Sequence, residues 1–204
     1  MKIIRADIND TAIFDNDELR FGGCCFFTED RLCKYFFRIN GREATLFKSS
    51  DKYIPQVIDE FLFYSGFIAT IHDEKGIILL ERKPSEAYLC EIDKLQPSQF
   101  YINKTKLENC KRWIKSQDDI FAPIVISEGR TILQDGHTRV RAAIELGYTC
   151  INVYPEEHTS YILDFVDEAV KRQINSISDM QLLDDDEYRV KWHGFCDAFF
   201  EGRE

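Results

Sequence analysis

The stretch that most constrains this chain reads as a strand, a tight turn and a helix over residues 131–147. Thr131 to Leu133 carry strand-favouring side chains, and Asp135-Gly136 is a turn dipeptide whose glycine tolerates positive φ. From His137 onward the apolar positions recur at helical spacing, and Gly147 stands where a helix commonly ends. The sequence therefore predicts a helix whose first turn directly follows a glycine.

A helix that begins in this way favours an anion at its first turn. The first-turn amides have no partner within the helix, and the helix dipole places partial positive charge there. Gly136 lets a phosphate approach the backbone, and Arg139 and Arg141 follow within a turn and a half. Because they are two positions apart, these arginines point to roughly opposite sides, so we expect only one to reach a phosphate directly. The alternative is an ordinary strand-to-helix turn whose arginines are solvated or paired with Glu145.

The run Asp135-Gly-His-Thr-Arg139, followed by Arg141-Ala-Ala, resembles the phosphate-binding turn of the ParB/sulfiredoxin-like superfamily. The resemblance extends upstream through 92–99, Lys106-Leu107 and 123–126, so it covers about residues 88 to 155. It implies an α+β chain whose central part is a ParB/sulfiredoxin-like mixed-sheet domain. It also implies that the turn binds nucleotide phosphates.

Three activities of that superfamily differ at this turn. Sulfiredoxins carry a reactive cysteine directly after the glycine, and His137 takes that position here, so thiol chemistry is not expected. DNA-partitioning members carry Glu-Arg-Arg, of which only the second arginine is matched, by Arg139. Free-serine kinases carry Asp-Gly-His-His-Arg or a near variant, and four of these five residues match. The resemblance to the kinases implies that Asp135 and His137 are catalytic around the phosphoryl group, with Asp135 directed at Mg²⁺. It further implies that the phosphates are bound by Gly136, Thr138, Arg139 and Arg141.

The identity of a catalytic base separates the possible functions. Kinase-like relatives carry a glutamate near their Leu-x-Pro segment, where this chain has Gln99, which cannot accept a proton. Glu91 and Asp93 are nearby in sequence. One hypothesis is a Mg²⁺-dependent phosphotransferase that uses ATP, ADP or CTP and a small hydroxyl-bearing acceptor. The other is a noncatalytic nucleotide-responsive regulatory module that binds a protein or DNA partner. A metal-dependent nuclease has little support, because Asp135 and His137 are only two potential ligands.

Charge and cysteine usage exclude other classes. The chain has 36 acidic and 26 basic residues, a net charge of −10, which disfavours nonspecific DNA binding. No window is long and apolar enough to span a bilayer, and the first residues do not form a signal peptide. Seven cysteines, an odd number, indicate free thiols in a reducing compartment, and hence a cytoplasmic protein. No Cys-x-x-Cys pair occurs, which disfavours a zinc site.

The chain divides into three predicted segments. Residues 1–85 form an α+β layer of unknown role, with β-like runs over 19–28 and 32–39. That layer also has a hairpin at Asn40-Gly41, a helix over 54–64 and a second hairpin around residues 73–76. Lys83-Pro84-Ser85 marks the boundary.

Residues 86–155 form the phosphate-binding domain, in which strands 131–134 and 150–154 and the helix between them predict a right-handed βαβ crossover. Residues 156–204 are predicted to be helical and packed on that domain. The acidic run over 184–187 is read as a helix cap.

Overall fold

The computed structural model describes residues 1–6, 12–14, 24–157 and 161–202 and shows a mixed α+β protein. The chain forms two compact units, Met1–Glu86 and Ala87–Glu204. Part of the β-like run over 19–28, residues 19–23, lies outside the described residues. Within the described chain, no helix has the length and apolar character needed to cross a membrane.

Over its described residues, the first unit has a six-stranded sheet and one helix. Its elements are β1 (Ile3–Arg5), β2 (Cys25–Thr28), β3 (Lys34–Asn40), β4 (Glu43–Lys48), α1 (Ile54–Tyr64), β5 (Thr70–Asp73) and β6 (Ile78–Glu81). The strands lie in the order β1-β2-β3-β4-β5-β6. Neighbours are antiparallel except β4 and β5, which are parallel because α1 connects them.

The predicted hairpins and helix of this unit are confirmed. β3 and β4 pair up to Asn40 opposite Glu43, and Gly41 takes a φ of 59° in the turn. Phe37 of β3 stacks on Phe61 of α1, with ring centroids 3.9 Å apart, so the apolar stripe of the helix packs on the sheet.

The second unit has a five-stranded sheet, a two-stranded sheet and several helices. Its elements are β7 (Tyr88–Glu91), β8 (Leu95–Pro97), β9 (Tyr101–Asn103), α2 (Lys104–Trp113), β10 (Phe121–Ser127), β11 (Arg130–Leu133), α3 (His137–Glu145), β12 (Cys150–Pro155), α4 (Ile162–Lys171), β13 (Gln181–Leu183), α5 (Asp185–Tyr188) and α6 (Gly194–Glu201). Three 3₁₀ turns and a π-helical turn complete it: Ile92–Lys94, Gln117–Asp119, Ile177–Asp179 and Arg189–His193. The sheet orders are β7-β12-β10-β11-β8 and β13-β9.

The predicted βαβ crossover from β11 to β12 is wrong. β12 is parallel to β10, whereas β11 is antiparallel to β10 on its other side, so β11 and β12 run in opposite directions. The parallel partner of β12 is therefore β10, and the connection between them includes β11 as well as α3. Local patterning identified each element, but strand partners depend on contacts between distant segments.

The segment after residue 155 is not wholly helical either. β13 pairs in parallel with β9, and a three-residue strand is too short to show a periodic pattern. The predicted cap of the acidic run is confirmed, since the Asp184 side chain accepts a 2.9 Å hydrogen bond from the Glu187 amide at the start of α5.

Candidate functional site

The turn between β11 and α3 depends on Gly136. This residue caps α3 with φ 83° and ψ 14°, a left-handed conformation that disfavours a side chain. A β-carbon here would lie 3.4 Å from Nε and Nη2 of Arg139 and 3.5 Å from Cβ of Ala122. Glycine is thus favoured both by the backbone angle and by the close approach of Arg139. The amides of the three residues that follow it point out of the helix end.

The guanidinium of Arg139 lies against the turn. Its Nη2 is 3.8 Å from Oδ2 of Asp135, and the Arg139 side chain is only 19% exposed, whereas that of Asp135 is 54% exposed. A partly exposed pair at this distance contributes little to stability. The arrangement instead keeps a positive charge beside Gly136 and leaves the Asp135 carboxylate facing solvent. Thr138, between the two, is half-buried.

Arg141 is held elsewhere. Its Nε donates a 3.1 Å hydrogen bond to Oε1 of Glu145, and its Nη1 donates to the carbonyls of Ile177 and Ser178 at 3.4 and 3.1 Å. These bonds attach α3 to the 3₁₀ turn Ile177–Asp179. The structure therefore brings Asp135, Gly136 and Arg139 together but gives Arg141 other partners.

His137 supports the turn from inside the protein. The residue is 3% exposed, and its Nε2 accepts a 3.1 Å hydrogen bond from the amide of Ser98. The Ser98 hydroxyl donates to the Leu133 carbonyl at 2.8 Å and lies 3.4 Å from the same Nε2. Since Nε2 accepts a hydrogen bond, the neutral imidazole ring carries its proton on Nδ1.

The charge state of His137 follows from this enclosure. Burial lowers the pKa of His137 to about 4, and the nearby negative charge of Asp135 opposes that shift only in part. The ring is therefore neutral at pH 7. His137 is the first residue of α3, and its ring is hydrogen-bonded to Ser98, which directly follows β8. The segment 92–99 and the turn, which both carry the sequence resemblance, therefore meet here.

The charge of Arg139 also acts on a thiol of α2. Burial raises the pKa of the Cys110 thiol to about 11, against the positive charges of Arg139 and, more weakly, Lys106. Lys106 precedes Cys110 by one helical turn, and its Nζ lies 5.6 Å from the ring centroid of Tyr188. The contact that the structure gives the Lys106 ammonium is thus with the Tyr188 ring.

The residues considered as bases have other contacts. Gln99 donates through Nε2 to the Tyr101 carbonyl at 2.9 Å and to the Tyr188 hydroxyl at 2.6 Å. Glu91 is exposed and pairs with Nζ of Lys94 at 2.9 Å. Asp93 is also exposed. None of the seven cysteines, all within the described residues, forms a disulfide. Among the residues that the structure describes, no three histidine, cysteine or acidic side chains cluster in a way that would hold a metal ion.

The comparisons with known proteins are distant. No family model matches the chain. No curated protein matches it in sequence. Among solved structures, protein Atu1540 from Agrobacterium tumefaciens is similar with 19% identity and a TM-score of 0.36, over 51% of this chain and 64% of that one. The chain thus spans less than two thirds of that protein. A likeness of this degree assigns neither a family nor an activity.

Proposed function

We propose that the turn Asp135–Arg139 binds the phosphates of a nucleotide, as the turn of ParB/sulfiredoxin-like domains does. The observation that carries the proposal is the guanidinium of Arg139, 3.4 Å from where a Gly136 β-carbon would be, beside the first-turn amides of α3, which have no partner within the helix. Backbone donors and a fixed cation at one place are the recognition elements of a phosphate. The absence of a side chain at Gly136 lets the anion approach both.

The remaining residues take supporting roles in this proposal. The Thr138 hydroxyl adds a donor. Asp135 is a single solvent-facing carboxylate, which fits a Mg²⁺ ion that nucleotide phosphates bring with them and that takes one or two protein carboxylates. When bound, that ion neutralises phosphate charge. His137 holds the turn in place through Ser98, and Arg141 braces the far side of α3.

Phosphoryl transfer to a small hydroxyl-bearing acceptor is the second candidate function. The exposed carboxylate of Asp135 beside Arg139 favours it, because transfer requires positioning and charge neutralisation more than covalent chemistry. The residues considered as catalytic bases argue against it, because each has another partner. Gln99 is hydrogen-bonded to Tyr188, Glu91 forms an ion pair with Lys94, and Nε2 of His137 accepts a hydrogen bond from Ser98. Nucleotide binding is therefore the function that the geometry supports best. A noncatalytic nucleotide-responsive module requires only this binding and no catalytic base.

A thermal-shift panel of ATP, ADP and CTP, each with and without Mg²⁺, tests the binding proposal. A ligand at a hundred times its Kd should stabilise the protein by about 2.7 kcal/mol. Gly136→Ala should remove that gain. Gly129→Ala is the matched control, because Gly129 also has a positive φ, 74°, but a β-carbon there meets no atom within 4 Å. No stabilisation by any nucleotide, or equal losses in both variants, would contradict the proposal.

Turnover separates the two candidate functions. Nucleotide consumption would be measured with amino acids and other small hydroxyl compounds as acceptors. If phosphoryl transfer occurs, Asp135→Asn should bind nucleotide normally and lose turnover, because a metal-directed carboxylate acts mainly on the transition state. Binding without consumption for every acceptor would favour the noncatalytic module.

A further inference from the structure

Two arginines of the first unit flank one alanine of its sheet. Arg42 directly precedes β4, Arg82 directly follows β6, and Ala69 directly precedes β5 between them. The amide of Ala69 donates to the Arg42 carbonyl at 2.7 Å, and the amide of Arg82 donates to the Ala69 carbonyl at 2.9 Å. These bonds extend the pairing of the three strands by one residue. Since paired residues share a face of a sheet, the two arginines lie on the same face, with Ala69 between them.

Both guanidiniums turn towards the same short segment. Nη2 of Arg82 donates to the Gly66 carbonyl at 2.5 Å, and Nε of Arg42 donates to the Phe67 carbonyl at 3.2 Å. Nη2 of Arg42 also donates to the Ser85 carbonyl at 2.7 Å. Because Gly66 and Phe67 are adjacent, with α-carbons about 3.8 Å apart, the two positive charges converge on one place.

No carboxylate neutralises this pair in the described part of the chain. Neither Arg42 nor Arg82 forms an ion pair there, although the protein has a net charge of −10. Successive residues of a strand point to opposite faces of the sheet, so Glu43 and Glu81, each next to one of the arginines, point away from them. Two like charges are thus held together without a counter-charge from the described residues.

The pair also has donors to spare. A guanidinium has five N–H groups, of which the carbonyls use two on Arg42 and one on Arg82. Nε of Arg82 is buried and has no acceptor among the described residues. A buried donor without an acceptor is destabilising. An oxyanion between the two side chains would supply acceptors and offset both charges.

We propose that Arg42 and Arg82 form a binding site for a phosphate group. A tetrahedral phosphate presents oxygens in several directions, so both guanidiniums can donate to it at once, whereas the two oxygens of a carboxylate lie in one plane and suit a single fork. Ala69 has only a methyl group and leaves room for the anion. The site shares no residue with the turn Asp135–Arg139 and does not depend on nucleotide binding there.

An NMR titration of the arginine Nε–Hε signals tests the site. It uses the Arg139→Ala protein, in which the other proposed phosphate contact is removed, and the signals are assigned with Arg42→Gln and Arg82→Gln. Sodium phosphate at constant ionic strength should shift both signals with one dissociation constant, and glycerol phosphate shows whether an ester binds more tightly than the free ion. Arg82→Gln should weaken phosphate binding about tenfold, the effect of losing one charge-assisted contact.

Two further variants complete the test. Ala69→Leu keeps both arginines but fills the space between them, so it should remove phosphate binding. Arg38→Gln is the matched control: it removes an equal charge from β3, where the Arg38 guanidinium lies 4.9 Å from the ring centroid of Phe47, and it should bind phosphate normally. Shifts as large with chloride or acetate as with phosphate would overturn the proposal. Undiminished binding in Ala69→Leu, or equal losses in Arg38→Gln and Arg82→Gln, would do so as well.

Discussion

Small buried polar side chains make different kinds of hydrogen bond in the two units, as shown by Thr28 and Asp73 in the first and by Ser98, Asn103 and His137 in the second. In the first unit Thr28 donates to Asp30 Oδ1 at 2.5 Å, and Oδ1 of Asp73 accepts from the amides of Lys75 and Ile77 at 2.9 and 2.8 Å. These bonds span two to four residues. They close turns, and each could form wherever its own short segment occurs.

In the second unit the corresponding bonds join distant segments. Ser98 and His137 are 39 residues apart, and Asn103 donates to Asp185 Oδ1 at 2.7 Å across 82 residues. Asn103 also caps α2 by accepting from the Lys106 amide at 2.8 Å. Both networks thus fix the first turn of a helix, α3 in one case and α2 in the other. These buried side chains of the second unit thus hold the starts of two helices against distant segments.

The largest expected effect concerns His137 and pH. The unfolded chain binds a proton on this ring below about pH 6.5, whereas the folded protein does so only near its pKa of about 4. The unfolded state therefore binds more protons between those values, and stability falls as pH is lowered through that window, by roughly 3 kcal/mol in total. Urea unfolding of the wild type and His137→Gln at a series of pH values measures this.

The histidine contribution appears as the difference between those two curves, because acidic groups also titrate at the lower end of the window. His193→Gln, which changes a half-buried histidine on the π-helical turn, is the matched control for replacing a histidine in the same unit. Parallel curves for wild type and His137→Gln would show that the ring is not held neutral by burial.

A smaller effect distinguishes a long-range cap from a local one. Asn103→Ala removes both the α2 cap and the bond to Asp185, so we expect a loss of about 2 kcal/mol. Asp184→Ala removes only the cap of α5, within three residues, and should cost about 1 kcal/mol. Chemical unfolding gives both values. Equal losses would mean that the bond across 82 residues adds nothing to the cap.

The sequence predicted the features that short segments determine. The Asn40-Gly41 hairpin, the helix over 54–64 and the Asp184 cap all follow from turn chemistry, periodicity or capping preference within a few residues. The left-handed glycine before α3 belongs to the same class, since Asp-Gly marks a turn wherever it occurs.

What the sequence could not provide was pairing over distance. Nothing in residues 131–154 states that β12 pairs with β10, and nothing at Ser98 indicates that its amide meets His137. The role of His137 was read from the motif as catalytic, whereas its enclosure by Ser98 makes it a support of the turn in our proposal.

The central claim concerns the two arginines of α3, which differ only in their surroundings. Calorimetric titration of ATP with Mg²⁺ into wild type, Arg139→Ala and Arg141→Ala tests it most directly. We expect Arg139→Ala to weaken binding about tenfold, the effect of losing one charge-assisted contact to phosphate. Arg141→Ala should retain wild-type affinity, because its guanidinium is engaged by Glu145 and the carbonyls of Ile177 and Ser178. Unchanged affinity in Arg139→Ala, or an equal loss in both variants, would contradict the proposed site.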